Sequence, residues 1–297
     1  MVEGAPISVV IPTIGRRDLL RECLSSILAC APRPDEVLVV DQSPGDQVGA
    51  LVAELGLPVV HVPCSGRGIA RAINLGLRTA RYDHVAVTND DCTVDPSWVA
   101  VARTQVERDA GALVTGRVLP AGDPDCTPSI KTDPVPHDFT GESPKWVLYG
   151  GNMVLPRAAA LALGGFDERA GLRVAAEDND FGYRWMDAGR PLRYEPDLTV
   201  WHHDWRTAEE LQQRYRVYAR GQGAFYAKHL HAGDRRIWRA VADDLYRGAR
   251  ATAGTVVHRR FGQPNEARAL LVGVPVGMLR GWREARRLDH GTDTPGS

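Results

Sequence analysis

The sequence predicts an α/β fold: a sheet flanked by helices, followed by a mainly helical C-terminal extension. Two observations carry this. Over the first ninety residues, short apolar runs bounded by turn residues alternate with longer segments of helical period, the pattern of a parallel sheet covered by helices. From Thr207 to about residue 288 the helical period continues with few breaks.

The predicted strands are residues 7–11, 36–40, 59–62 and 84–88, each apolar and followed by polar or turn-forming residues. Between them, residues 17–28, 47–55 and 69–80 place apolar side chains three and four positions apart, as amphipathic helices require. Residues 120–144 turn to Pro, Asp, Thr and Ser without periodicity, and a segment of that length in a compact domain reads as a lid or binding element. A Gly150-Gly151-Asn152 turn then precedes a short strand, a helix at 156–163 and another at 178–188. Residues 192–194 and 198–202 read as two more strands, and the tail is expected to break near Gly233, Gly262 to Pro264 and Pro275.

Of 297 residues, 43% are hydrophobic and 25% charged, which suits a globular chain able to bury a large core. The net charge of −1 argues against binding nucleic acid by bulk electrostatics. Five cysteines, Cys23, Cys30, Cys64, Cys92 and Cys126, show no paired metal spacing and read as reduced thiols. The N-terminus lacks the pattern of a signal peptide, and no stretch approaches the roughly 20 apolar residues that span a bilayer. Cytoplasmic placement is therefore expected, with at most contact to a membrane surface.

In an open α/β sheet the ligand crevice lies beyond the carboxyl ends of the strands. Those ends read Pro12-Thr13-Ile14-Gly15-Arg16, Asp41-Gln42-Ser43, Pro63 to Gly68, and Asn89-Asp90-Asp91. Neither a GxGxxG turn nor a GxxxxGK[ST] loop occurs, which removes the usual dinucleotide and NTPase readings. Two adjacent carboxylates after an apolar strand repel unless something positive lies between them, and a divalent cation bridging substrate phosphates is an economical partner. The structural alternative is an acidic turn in which Asp90 or Asp95 caps the helix beginning near Pro96. A second acidic run, Glu177-Asp178-Asn179-Asp180, opens a helix, where a cap is again the plain alternative. His202 and His203 end a strand, so alternation turns one inward, where it is a candidate metal ligand or a core histidine.

Taken in order, these segments resemble a family 2 glycosyltransferase of the GT-A fold over about residues 7–205. The resemblance rests on Val9 to Thr13 with Arg16, Val39 to Ser43, Gly68 to Gly76, Asn89 to Cys92 with Asp95, Pro96 and Trp98, the Gly150 to Asn152 turn, Gly164 to Asp167, and Glu177 to Asp180 with Arg184. It implies a GT-A type nucleotide-binding sheet over residues 1–206 and a helical region over 207–297. It further implies that Pro12, Thr13, Asp41, Arg71, Asn74, Asn89 and Asp90 bind the donor nucleotide. By the same resemblance Asp91 is the metal-binding acid, Asp178 the general base, and Gly150, Gly151, Asn152 and Glu177 face the acceptor; His202 joins Asp91 as a candidate ligand. The first acid of the family's DXD motif is Asn89 here, which removes one charge and leaves Asp91 as the main anchor for Mn²⁺ or Mg²⁺.

The implied activity is inverting transfer from a UDP- or dTDP-type sugar to the hydroxyl of a glycan, lipid-linked or small-molecule acceptor. A non-catalytic sugar-nucleotide-binding or glycan-binding scaffold and a sugar nucleotidyltransferase are the alternatives. In the tail, arginines alternate with aromatics from Arg214 onward, a pattern that suits a packed stripe with a solvated basic face or contact with lipid headgroups. Residues 269–279 read as a kinked buried helix or a shallow membrane contact.

Overall fold

The computed structural model describes residues 4–289 apart from 57, 123–126, 128, 140–146, 170–171, 173–174, 204–206 and 258–264. Cys126, the end of the segment at 120–144, and the tail break at Gly262 to Pro264 lie outside the described residues. By its internal contacts the chain forms two units. The first comprises Met1–Glu142, Trp146–Asp167 and Phe181–Trp205; the second comprises Ser143–Lys145, Glu168–Asp180 and Arg206–Ser297.

The first unit is built on one mixed sheet. Strands β1 (Ile7–Thr13), β2 (Glu36–Asp41), β3 (Val59–Pro63) and β4 (His84–Thr88) pair in parallel in the order β3-β2-β1-β4. Helices α1 (Arg17–Leu28), α2 (Gln47–Leu55) and α3 (Ile69–Thr79) connect them. This is the arrangement the sequence predicts, and its order reverses direction at β1, which opens a crevice at the strand ends. Side chains alternate between two cores. Val9, Ile11, Val37 and Val39 meet α1 and α2, while Val10, Leu38, Val40, Val85 and Val87 meet α3. Gly76 lets α3 lie directly on β1, since a Cβ there would come within 2.4 Å of Val10 Cγ1.

The other strands are less regular. After β5 (Cys92–Val94) and α4 (Trp98–Arg108), β6 (Leu113–Pro120) and β7 (His137–Phe139) join the sheet. Next come β8 (Asn152–Pro156), α5 (Arg157–Ala162), α6 (Glu177–Asp187) and β9 (Leu192–His202). The sheet continues from β4 as β8-β6-β9-β5, with β7 antiparallel to β9. Two expectations are corrected. Part of the segment read as a lid lies in the sheet, with β7 on β9 and Lys131 bridged to Val118. The two strands expected at 192–194 and 198–202 are one strand. Its pairing with β6 steps from Gly116↔Glu195 to Arg117↔Thr199, so Pro196 falls in an irregularity instead of ending the strand.

Asn152 locks these strands together. Its Oδ1 accepts from Trp98 Nε1 at 2.9 Å, and its Nδ2 donates to the carbonyls of Arg117 at 2.9 Å and Leu198 at 2.8 Å. The backbone carbonyl of Asn152 accepts from Thr115 Oγ1 at 2.9 Å.

In the second unit, α7 (Ala208–His231), α8 (Ile237–Val257) and α9 (Glu266–Asp289) pack on one another. A capping box starts α7: Thr207 Oγ1 accepts from the Glu210 amide, and the Glu210 carboxylate accepts from the Thr207 amide. The break expected at Pro275 does not occur. The proline sits on the exposed side of α9, while Gly273 and Gly277 hold the helix against Ala219 and Arg220 of α7. No helix among the described residues is long and apolar enough to cross a membrane.

Replacing Asn152 by Ala should cost about 3 kcal/mol, because it leaves the Trp98 N–H and two buried carbonyls without partners. Urea unfolding of Asn152→Ala measures this; a loss below about 1 kcal/mol would show that the amide does not tie the strands.

Candidate active site

At the carboxyl ends of β1 and β4, the buried Thr13, Asp90 and Asp91 form one cluster with the half-buried Arg16. Thr13 Oγ1 donates to Asp90 Oδ2 at 2.6 Å and accepts from the Gly15 amide at 3.1 Å. The Arg16 guanidinium reaches both acids, with Nη1 donating to Asp91 Oδ2 at 2.7 Å and Nη2 pairing with Asp90 Oδ1. Positive charge between the carboxylates, anticipated as a metal ion, is here also supplied by an arginine of the β1–α1 loop. Burial raises the Asp90 carboxyl above its ordinary value, against the pull of Arg16 and with Asp91 adding to the rise. Neither Asp90 nor Asp95 caps α4 with its side chain. Asp95 Oδ1 instead accepts from the amide and hydroxyl of Ser97, at 2.9 and 2.6 Å.

Asp91 also faces β9. His202 Nε2 lies 3.7 Å from Asp91 Oδ1, and Cys92 pairs with His202 across β5 and β9. One donor atom from each of Asp91, Cys92 and His202 lies within 4.8 Å of the others. Burial pushes the Cys92 thiol well up, so it stays protonated and is a poor ligand for a hard cation. A carboxylate and an imidazole suit Mn²⁺ or Mg²⁺ when phosphate oxygens and waters complete the shell. His203 turns away from Asp91 and meets Thr93 at 3.0 Å.

One strand over, Asp41 is paired with Thr13 in the β1–β2 register. Its Oδ1 accepts from the Ser43 amide and hydroxyl, and its Oδ2 lies 2.9 Å from His61 Nε2 on β3. Pro12 is buried within β1, opposite Val40. On α3, Arg71 donates to the Ser65 carbonyl at 3.3 Å, beside Gly66 of the loop after β3.

Several expected contacts take a structural form instead. Asn74 is buried, with Nδ2 donating to the Phe166 carbonyl and Oδ1 accepting from the Phe166 amide, both at 2.8 Å. That amide clamps the Gly164-Gly165-Phe166 turn. Asn152 is equally committed inside the sheet, so its side chain is not available to an acceptor. Gly150 and Gly151 are buried, and a Cβ on Gly151 would lie 2.6 Å from Asn89 Nδ2. The close approach permitted by Gly151 is therefore filled by Asn89 and Tyr149. Among the described residues, the buried Asn89 Oδ1 has no hydrogen-bond partner.

The second acidic run lies in the other unit. Ala176, with φ at +68°, turns the chain sharply into α6, a strained conformation for a residue with a side chain. Glu177 is buried, and burial first, then the adjacent Asp178, push its carboxyl up to about 8. Asp178 Oδ1 accepts from the Asn179 amide at 2.8 Å. Asn179 Nδ2 donates to Gln222 Oε1 on α7 at 3.0 Å. Asp180 is fully buried between Lys228 Nζ at 2.5 Å and His229 Nε2 at 2.9 Å. Residues of α7 thus hold Asn179 and Asp180 at the start of α6. Arg16, His61, Lys228 and His229 are missing from the sequence-based site. The available signal was the need of buried acids for cations, in a chain whose sequence holds only three lysines.

Residues 8–146 match the profile of glycosyl transferase family 2. These residues form a family 2 glycosyltransferase domain. Its sheet and helices have the GT-A fold, and solved structures share it at low identity. One is the mannosyltransferase PcManGT from Pyrobaculum calidifontis in complex with GDP-Man and Mn²⁺, at 17% identity and a TM-score of 0.63, covering 94% of this chain and 88% of that one. Another is GalNAc-T7 with UDP, GalNAc and Mn²⁺, at 19% identity and a TM-score of 0.55, covering 77% of this chain and 51% of that one. The pre-mycofactocin glycosyltransferase of Mycobacterium tuberculosis is 30% identical over 217 residues, which is 68% of this chain and 43% of the relative. The glucosyl-dolichyl phosphate glucuronosyltransferase of Haloferax volcanii is 29% identical over 182 residues, 56% of this chain and 57% of that protein. The glycosyltransferase chain therefore spans about half the length of these curated relatives.

The Glu177 carboxyl is raised in the folded protein above its unfolded value of about 4.3. Its stabilising contribution is thus full below that value and is lost as pH climbs through about 8. Thermal melts between about pH 5 and pH 9 should show a decline for the wild type that Glu177→Gln flattens; parallel curves would mean that Glu177 is already ionised at neutral pH.

Proposed function

We propose that this chain is an inverting hexosyltransferase-like enzyme that moves a sugar from a UDP- or dTDP-type donor to an acceptor hydroxyl, in glycan or glycoconjugate biosynthesis. The single observation that carries the reading is the Thr13–Arg16–Asp90–Asp91 cluster, with His202 beside it, beyond the strand ends where the sheet order reverses. Solved relatives of the same fold are described with UDP, GDP-Man or UDP-GlcNAc, which supports a nucleoside-diphosphate sugar as the donor class.

In this reading residues 1–206 bind the donor and carry out transfer, and residues 207–297 form the helical region that supports the base. Asp41 accepts hydrogen bonds from the ribose or the base edge, with Pro12, Thr13 and Arg71 bordering the same crevice. Asp91 and His202 would hold a divalent cation, which would supply positive charge to the diphosphate leaving group. Arg16, already at the acid pair, adds a second cation on that side. Asp178 takes the proton of the acceptor hydroxyl as its oxygen bonds to the anomeric carbon. The bond from that carbon to the phosphate oxygen breaks, and its electron pair leaves with the nucleoside diphosphate. No covalent sugar–enzyme intermediate is needed. Burial, with Asp178 adjacent, holds the Glu177 carboxyl up at about 8, so Glu177 keeps its proton at neutral pH beside the base.

A sugar-nucleotide-binding scaffold without turnover is the second reading, favoured by Asn89 in place of an acid. Nucleoside-diphosphate release from a panel of nucleotide sugars with Mn²⁺ separates the two. Asp178→Asn should lower kcat by ~10²-fold or more while thermal stabilisation by the donor persists. Asp91→Asn should remove the Mn²⁺-dependent part of that stabilisation. Unimpaired turnover in a folded Asp178→Asn protein would defeat the assignment of the base.

A further inference from the structure

Charge is strongly segregated along this chain. From Thr207 to the C-terminus there are sixteen Lys and Arg against nine Asp and Glu, a net of +7. The whole chain nets −1, so residues 1–206 carry −8. Within the helical unit, α7 and α9 border a groove of about 610 Å³ lined by Gln212, Arg216, Arg220, Arg268, Val272 and Gly273. No carboxylate lines it among the described residues.

The outer face of α9 continues from this groove. Gly273, Gly277 and Gly281 turn toward α7, and Ala267 and Leu271 turn toward Gly248 of α8. At 100° per residue the opposite side of the helix presents Arg268, Val272, Pro275, Leu279, Arg283 and Arg286. Val272 is 68% exposed and Leu279 64%, while Pro275, Arg283 and Arg286 are exposed as well. Exposed aliphatic side chains, bracketed by arginines at both ends of the stripe and beside a groove with two more, are unlike an ordinary solvated helix face. Apolar residues that sink to the acyl boundary, with guanidinium groups at phosphate depth, are how an interfacial helix binds a bilayer surface.

We infer that the α7–α9 face is a docking surface for anionic phospholipid, holding the protein on a negatively charged membrane without spanning it. Arg216 and Arg220 engage headgroup phosphates, and Val272 and Leu279 enter the interface. Arginine suits this role because its planar fork meets phosphate oxygens two at a time.

The test uses the full chain and vesicle co-sedimentation. Vesicles of phosphatidylcholine with phosphatidylglycerol should bind it, vesicles of phosphatidylcholine alone should not, and added salt should weaken binding. Arg216→Glu with Arg220→Glu should reduce binding ~tenfold or more, whereas Arg216→Lys with Arg220→Lys should retain most of it. Val272→Asp with Leu279→Asp should abolish what survives at high salt. Circular dichroism confirms that each variant is folded, and donor-induced thermal stabilisation, read separately, keeps the result independent of the transfer chemistry. No binding to anionic vesicles, equal binding to both compositions, or wild-type binding by the charge-reversed variant overturns the inference. So does a dimer in sedimentation velocity that Leu279→Asp dissociates without any change at vesicles, since the face would then belong to a second copy.

Discussion

Two adjacent carboxylates buried at the end of a central strand need positive charge close by, and the first unit is organised around that need. Asp90 and Asp91 follow β4 directly, where parallel pairing with β1 brings the β1–α1 loop and its Arg16 alongside. Thr13 at the end of β1 spends its hydroxyl proton on Asp90, so the loop is anchored by the same acid that its arginine neutralises. On the other flank, β5 and β9 run antiparallel and deliver His202 to Asp91. Opposed charges in a desolvated setting fix geometry firmly, because each acid would be costly without its partner.

A different solution holds the second acidic run. Asp180 is locked by Lys228 and His229, Asn179 by Gln222, and Glu177 is held neutral by burial. Asp178, between them, accepts from the Asn179 amide.

Much of this fold is legible in the sequence, and the limits have physical causes. Strands β1 to β4 and helices α1 to α3 are readable because each strand is a continuous apolar run and each helix has a full amphipathic period. Strands β5 and β7 have three residues each, too few for any period, and β9 is cut by Pro196 at an irregularity that only its pairing with β6 explains. The acids of the site are readable from position and type. Their partners are not: Arg16 lies 74 residues from Asp90, and Lys228 lies 48 from Asp180. Asn74 and Asn152 carry the opposite lesson, since each sits in a family-like motif yet spends its amide on distant backbone groups, and in Asn152 also on the Trp98 indole, that no local pattern reveals.

The glycines along α9 have a consequence for how the protein can vary. At Gly277 an added Cβ would come within 2.0 Å of the Arg220 carbonyl, and at Gly273 within 2.4 Å of the Ala219 Cβ. One side of the helix therefore has almost no freedom of composition, because any side chain there would force two backbones apart. The side carrying Val272 and Leu279 meets no such restriction from within the fold. Substitutions on that side can retune what the helix touches without disturbing how it is held.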